Sequence, residues 1–175
     1  NLPFAVRLIP RADFAREKEA GGGLLGLREF AAQEGTPYAM VRQPLQSPIQ
    51  LPCNPPPWGT LAAVSLDEGR ILWQVPLGTV PDKIPVRLPV KMGLPNLGGP
   101  LVTGGGLVFI GAAMDSYLRA FDLATGAELW SDALPAGGNA TPMSYRGADG
   151  RQYVVIAAGG HGKLGTKRGD SVVAS

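Results

Sequence analysis

The chain is poor in the residues that usually declare chemistry. Its 175 residues include one cysteine and one histidine, and only 17% are charged. A single cysteine, Cys53, cannot close an internal disulfide, and one thiolate cannot hold a structural zinc. A free thiol of this kind is more often packed or inert than reactive. The net charge is +2, and lysine and arginine are scattered among aspartate and glutamate rather than massed on one element. That distribution argues against a nucleic-acid partner. No run of about 18 apolar residues occurs, so nothing here is long enough to span a membrane as a helix. No signal-peptide pattern opens the chain. It starts mid-pattern on Asn1 and ends on Val172-Val173-Ala174-Ser175, which reads as a strand cut short. Both ends are therefore expected to bound a piece of a longer protein.

What the chain does hold is glycine and proline, 25 and 17 residues, within a composition that is 45% hydrophobic. That is the composition of an ordered, turn-rich β protein, and the length suffices for a real core. An internal repeat narrows the fold further. Leu61 to Trp73 and Leu118 to Trp130 share Leu, Ala, Leu, Gly, Leu and Trp in register, 57 residues apart. Each copy reads as strand, turn, strand, with Gly69 or Gly126 where a tight hairpin needs positive φ. Each Trp is a large apolar body that can pack between neighbouring sheets, with an indole N–H that needs an acceptor. Stacked β-units of this kind build a propeller or a solenoid, because one repeat cannot bury its own apolar face.

Along the chain, Phe4 to Ile9 reads as a strand and Phe14 to Ala20 as a short helix stopped by Gly21-Gly22-Gly23. Leu24 to Gln33 fits a short amphipathic helix. Pro37 to Pro57 is proline-rich and is expected to be loop or edge strand, since proline lacks the ladder N–H. Pro76 to Pro95 is again loop-like. From Gly98 the pattern becomes regular. Strands are expected near Leu101, Leu107 to Gly111, Tyr117 to Leu123 and Glu128 to Ala133, making one four-stranded blade. Tyr153 to Ala158 and Ser171 to Ala174 belong to a partial unit. The expected organisation is a partial blade with a short helical insertion at 1–43, an irregular blade with proline-rich loops at 44–95, a complete blade at 96–138, and a C-terminal partial blade with a pocket loop at 139–175. Two or three blades cannot close a ring, so the chain should be part of a larger propeller or associate through open edges.

From about Gly35 to Val173 the chain resembles the C-terminal part of the membrane-bound PQQ-dependent (quinoprotein) glucose dehydrogenases and their quinate- and polyol-oxidising relatives. The runs that carry the resemblance include Gly35-Thr36-Pro37-Tyr38, Leu51-Pro52-Cys53, Leu97-Gly98-Gly99-Pro100, Tyr117-Leu118-Arg119-Ala120 and Leu134-Pro135-Ala136-Gly137-Gly138. Further on come Ala140-Thr141-Pro142-Met143, Gln152 to Ile156, Ala158-Gly159-Gly160-His161-Gly162, Gly165-Thr166-Lys167 and Gly169-Asp170. The resemblance implies an all-β fold: about two to three four-stranded antiparallel blades, with Trp docking motifs, of an eight-bladed propeller. It implies pyrroloquinoline quinone (PQQ) and Ca2+ or Mg2+ in the parent protein, with both absent from the isolated fragment. It further implies oxidation of a sugar or polyol hydroxyl, electron transfer to ubiquinone, and a place on the periplasmic side of the inner membrane. The general-base Asp and the Lys, Asn and stacking residues around the quinone are expected upstream of this chain, leaving the fragment alone inactive.

Several residues are candidates for a pocket wall. His161 stands between Gly160 and Gly162, which let backbone approach a ligand closely. Its imidazole could donate to a sugar hydroxyl or a quinone oxygen, or it could simply cap a strand end. The resemblance associates it with sugar selectivity. Asp115 reads as a turn aspartate bonded to its own backbone, and the resemblance places it near the quinone or the path to ubiquinone. Asn96, Leu97, Gly98 and Gly99 are expected to face the propeller axis and offer backbone N–H groups to the quinone, or to form a Gly-Gly bulge. Lys163, Lys167 and Arg168 make a basic loop, read as solvated charge. Trp73, Trp130 and Trp58 read as structural. The rival reading is a non-enzymatic propeller scaffold for protein assembly. The His161 loop and the Leu97–Pro100 run argue against it, because a scaffold needs neither.

Overall fold

The computed structural model describes residues 3–21, 28–47, 52–79, 91–162 and 164–175. It divides into two compact units: Asn1–Pro55 with Lys163–Gly165, and Pro56–Gly162 with Thr166–Ser175.

The first unit is a three-stranded antiparallel sheet ordered β1-β3-β2, from β1 (Phe4–Pro10), β2 (Glu29–Ala31) and β3 (Tyr38–Pro44). A one-turn 3-10 segment and a short helix, α1 (Phe14–Glu19), follow β1. Ile9, Ala39 and Val41 form its small core; Phe14 and Phe30 pack against it and meet each other edge to face. Two expectations fail here. Glu29–Ala31 is strand, not helix; the part of the expected helix at 24–27 lies outside the described residues. Phe30 pairs across the sheet with Val41 and Glu29 faces Arg42 in an ion pair, and that long-range pairing outweighs a weak local helical period. Tyr38–Pro44 is the central strand, not an edge or loop. The reason is positional: its only proline is the last residue, so every earlier N–H remains available to the ladders.

The second unit stacks three antiparallel sheets in chain order. The first is the hairpin β4 (Thr60–Ser65) and β5 (Arg70–Pro76). The second is four-stranded: β6 (Leu101–Val102), β7 (Leu107–Ile110), β8 (Tyr117–Asp122) and β9 (Glu128–Ala133), in that order. The third comprises β10 (Met143–Arg146), β11 (Gln152–Ala158) and β12 (Ser171–Ala174). Alternation on β8 explains the stacking. Phe121 joins Leu61, Leu77, Val108, Ile110, Ala112 and Ala113 on one face. Leu118 joins Leu134, Ala136, Val154, Ile156 and Ala158 on the other. A strand buried on both faces needs apolar residues at both parities. Each Leu, Val, Ile or Phe among them contributes about 1.5–3 kcal/mol of burial.

The repeat is visible in the backbone. The ladders of β4–β5 and β8–β9 slip at Ala63/Val64 and Ala120/Phe121, the same place in each copy. The slip leaves Leu72 and Leu129 unpaired and exposed, the behaviour of a β-bulge. Gly69 and Gly126 both adopt left-handed backbone, with φ of +63° and +73°. The Trp73 indole packs against the core shared by its own sheet and the four-stranded one, and its Nε1–H donates to Leu123 O at 2.9 Å. A β-carbon on Gly126 would lie 2.6 Å from that ring. The 122–126 turn is closed by Asp122, whose carboxylate accepts from the Thr125 hydroxyl and N–H. Those bonds, the hydroxyl first, hold its pKa below the ordinary value. Trp130 is 39% exposed and lines a groove of about 680 Å³ with Leu107, Phe109, Val154 and Ser175. Trp58 is buried, and Cys53 is exposed rather than packed.

Candidate functional site

The backbone that leaves β7 is the scaffold of the candidate site. At Gly111 it passes so near Gly138 that a β-carbon would sit 2.3 Å from the Gly138 carbonyl oxygen. Ala112 follows, fully buried, with φ of +56°. A non-glycine residue in that region costs roughly 1–2 kcal/mol, so the surroundings must hold it there. They do so through both of its backbone groups. Ala112 N–H donates to Gly138 O at 2.7 Å, and Ala112 O accepts from Leu97 N–H at 2.9 Å and from Asn139 Nδ2 at 3.0 Å.

The Asn96–Gly99 segment hangs on this turn. Asn96 bridges to Ala113, and regular strand begins only at Leu101. Asn96, Leu97 and Gly98 are exposed together. The space beside the glycines is filled by protein. A β-carbon at Gly98 would lie 2.7 Å from Asn139 O, and one at Gly99 2.7 Å from Thr141 Oγ1, which also accepts from Gly99 N–H. Close packing, against backbone at Gly98 and against the Thr141 side chain at Gly99, therefore accounts for both glycines.

His161 lies on the loop after β11. Gly160, with φ of +70°, donates its N–H to Gly137 O at 2.8 Å, and Gly137 N–H donates to Lys167 O at 3.0 Å. His161 N–H donates to Thr166 Oγ1 at 2.7 Å. Its ring Nδ1 is buried, and no described residue bonds it. Lys163 lies outside the described residues; Lys167 and Arg168 are exposed.

Asp115 is in a different state. A turn aspartate bonded to its own backbone is expected at this position, yet the Asp115 side chain is fully buried and bonded elsewhere. Both oxygens bind the buried Arg119 guanidinium, with Nη1 3.1 Å from Oδ1 and Nη2 on Oδ2. Oδ2 also accepts from Thr79 N–H at 2.7 Å and Thr79 Oγ1 at 3.2 Å. Tyr117 lies under the guanidinium, and Glu128 is 3.9 Å from its Nε. Three of these contacts fall on Oδ2 and one on Oδ1, so both carboxylate oxygens are engaged within the protein.

Asn139, Thr166, Arg119 and Thr79 were not singled out from the sequence. Asn139 and Thr166 follow glycines in loops, where such residues ordinarily serve local turns. Arg119 sits in a β-strand with no spacing cue that links it to Thr79. Among the described residues there is no cluster of three or more His, Cys, Asp or Glu side chains.

Comparison with known proteins gives this arrangement its context. Residues 1–154 match the model of the PQQ glucose/ethanol/alcohol dehydrogenase β-propeller domain. The chain belongs to that family. It is 47% identical over 178 residues to quinoprotein glucose dehydrogenase A of Acinetobacter calcoaceticus, covering 99% of this chain and 22% of that protein. It is 46% identical over 162 residues to the glycerol dehydrogenase large subunit of Gluconobacter thailandicus, covering 89% and 21%. Among solved structures, a europium-containing methanol dehydrogenase superposes with a TM-score of 0.51 at 26% identity, covering 75% of this chain and 20% of that one. The chain thus spans about a fifth of the length of the quinoprotein dehydrogenases it matches. Its stacked antiparallel sheets are those of a PQQ β-propeller. The chemistry of the residues present, an unbonded imidazole nitrogen beside tethered backbone, is compatible with one edge of such a site.

Proposed function

We propose that this chain forms one wall of the pocket of a PQQ-dependent dehydrogenase that oxidises a hydroxyl of a sugar or polyol. The observation that carries the reading is His161: a lone histidine, on a loop held by backbone hydrogen bonds, whose buried Nδ1 has no partner among the described residues. A buried polar atom left without a partner costs about 1–3 kcal/mol, so a bound oxygen on Nδ1 would recover that cost. PQQ, when bound, supplies the two-electron acceptor. His161 orients the reacting hydroxyl or a neighbouring one, and the exposed Asn96–Gly98 edge lines the same wall. The general base and the ligands of a Ca2+ or Mg2+ ion belong to other parts of the parent chain. Asp115 serves here as the anchor of an internal ion pair.

Further parts of the reading follow the family rather than any single residue. Electrons pass to ubiquinone, and the domain faces the periplasm. The sheets form successive blades that dock on the remaining blades of the parent. Alone, the 175 residues turn over no substrate, and their open sheet edges favour self-association. Sedimentation of the fragment as a clean monomer at high concentration would count against that last point.

The test is made in the complete parent protein, reconstituted with PQQ and Ca2+ and assayed by dye reduction over a panel of sugars and polyols. His161→Ala should raise KM about tenfold for the preferred substrate, the worth of one hydrogen bond, and alter the ranking of the panel. Unchanged KM values across the panel would remove His161 from the pocket.

A further inference from the structure

We infer that Asn139 and Thr166 are positioning residues that set His161 against the Asn96–Gly99 edge. The inference rests on the pocket reading above but concerns residues that reading does not use. Thr166 is buried, and its hydroxyl sits between two loops. It accepts from His161 N–H at 2.7 Å and donates to Asn139 Oδ1 at 3.1 Å. Asn139 carries the connection onward: Nδ2 donates to Ala112 O at 3.0 Å and to Leu97 O at 3.4 Å. Both of those acceptors are carbonyls, which cannot donate, so only one orientation of the Asn139 amide satisfies the set. The result is a directed run of hydrogen bonds from the His161 backbone through two side chains to the backbone of Leu97 and Ala112.

Three features argue that this run is more than turn chemistry. It joins segments far apart in the chain, with Thr166 and Asn139 separated by 27 residues and Asn139 and Leu97 by 42. It ends on Ala112, a buried residue in left-handed backbone, and strained backbone of this kind persists only where surrounding contacts over-determine it. It also excludes side chains where it passes: a β-carbon at Gly137 would lie 2.6 Å from Thr166 Oγ1 and 2.8 Å from Asn139 Oδ1. The two pocket elements therefore share one register. An error of an ångström in that register is enough to spoil a directed contact to substrate.

The experiment uses the complete parent enzyme with PQQ and Ca2+, in variants Thr166→Val, Thr166→Ser and His161→Ala, and in the double variant His161→Ala/Thr166→Val. Thr166→Val removes the hydroxyl at nearly constant volume. Hydrogen exchange at the His161 amide should accelerate at least about tenfold, in apo and loaded protein alike. KM for the preferred sugar or polyol should rise about tenfold with kcat within about twofold, and Thr166→Ser should restore both. In the His161→Ala background, Thr166→Val should change KM by less than about twofold, because a positioning residue has nothing left to position. Faster amide exchange with unchanged KM would overturn the inference, and so would full additivity of the two substitutions. If His161→Ala itself leaves KM unchanged, the pocket reading fails instead, and the two failures are told apart. Should Thr166→Val not fold, Asn139→Ala, which leaves room for water, is read out the same way.

Discussion

Asp115 and His161 occupy the same place in successive sheets, on the turn or loop that follows the second strand of each, β7 and β11. Their hydrogen-bonding capacity is used in opposite ways. Asp115 is fully buried, and both oxygens are engaged by Arg119 and Thr79. His161 is held through its backbone N–H, and its buried ring Nδ1 has no hydrogen-bond partner among the described residues. A polar group whose bonds all close within the protein holds the fold together. One left unbonded in the same frame keeps a capacity that the fold itself does not use. The Trp pair repeats the contrast in apolar form. Trp73 is seated on the Gly126 turn with its N–H bonded, whereas Trp130 is exposed beside a groove and no described residue accepts its N–H.

The largest expected effect breaks the closed side of the comparison. Arg119→Ala leaves Asp115 buried without a cation and should cost about 3–5 kcal/mol in denaturant unfolding of the parent protein. The double variant Asp115→Leu/Arg119→Met should cost less than Arg119→Ala alone, because no buried charge remains. A double variant less stable than the single one would show that the pair contributes net stability instead of merely satisfying itself. Next comes the Trp contrast. Trp73→Ala should cost about 3 kcal/mol, and Trp130→Ala about 1 kcal/mol, because less of its surface is removed from water. Equal losses would mean that Trp130 has a seat in the parent protein as good as that of Trp73.

A finer cut compares Gly69 with Gly126, which share a repeat position and a left-handed backbone. Nothing lies within 4 Å of a β-carbon at Gly69, whereas one at Gly126 strikes the Trp73 ring. Gly69→Ala should therefore cost only the backbone term, roughly 1 kcal/mol. Gly126→Ala should cost clearly more, and the excess should shrink in a Trp73→Ala background. Matching losses in both glycine variants would separate the Trp73 seat from the identity of residue 126.

Much of the architecture could be read from the residues. The Trp-ended repeat announced its hairpins, its glycine turns and the docking role of Trp73, because each rests on local chemistry that recurs 57 residues apart. Residues 29–31 and 38–44 are not legible locally because their state is decided by partners elsewhere in the chain, Arg42 for Glu29 and β1 and β2 for β3. The site divides the same way. His161 stood out as the lone histidine between glycines, and Asp115 as an aspartate in a turn. Arg119 is only four residues from Asp115, but the contact with Thr79 spans 36 residues, which no local pattern encodes. Asn139 and Thr166 were invisible for the same reason: each is an ordinary loop residue until the fold brings the loops together.

The smallest effect expected lies at the Gly126 turn and concerns pH. Asp122 is held ionised by the Thr125 hydroxyl and N–H, which lower its pKa below the ordinary value. A carboxylate with a depressed folded-state pKa adds stability above its unfolded pKa, about 3.9. That contribution is lost as pH falls through the folded value. The parent protein should therefore lose stability from about pH 4 downward, and Asp122→Asn should lose it with a shallower slope while differing little near neutrality. Asp149 offers a control in the β10–β11 hairpin. Its pKa is lowered chiefly by the Tyr153 hydroxyl, with help from the Arg151 N–H. That turn belongs to neither Trp seat. If the acid slope flattens equally in Asp122→Asn and Asp149→Asn, it reflects surface carboxylates in general. If only Asp122→Asn also loosens Trp73, seen as a shift in its fluorescence, the carboxylate holds the turn on which the indole sits.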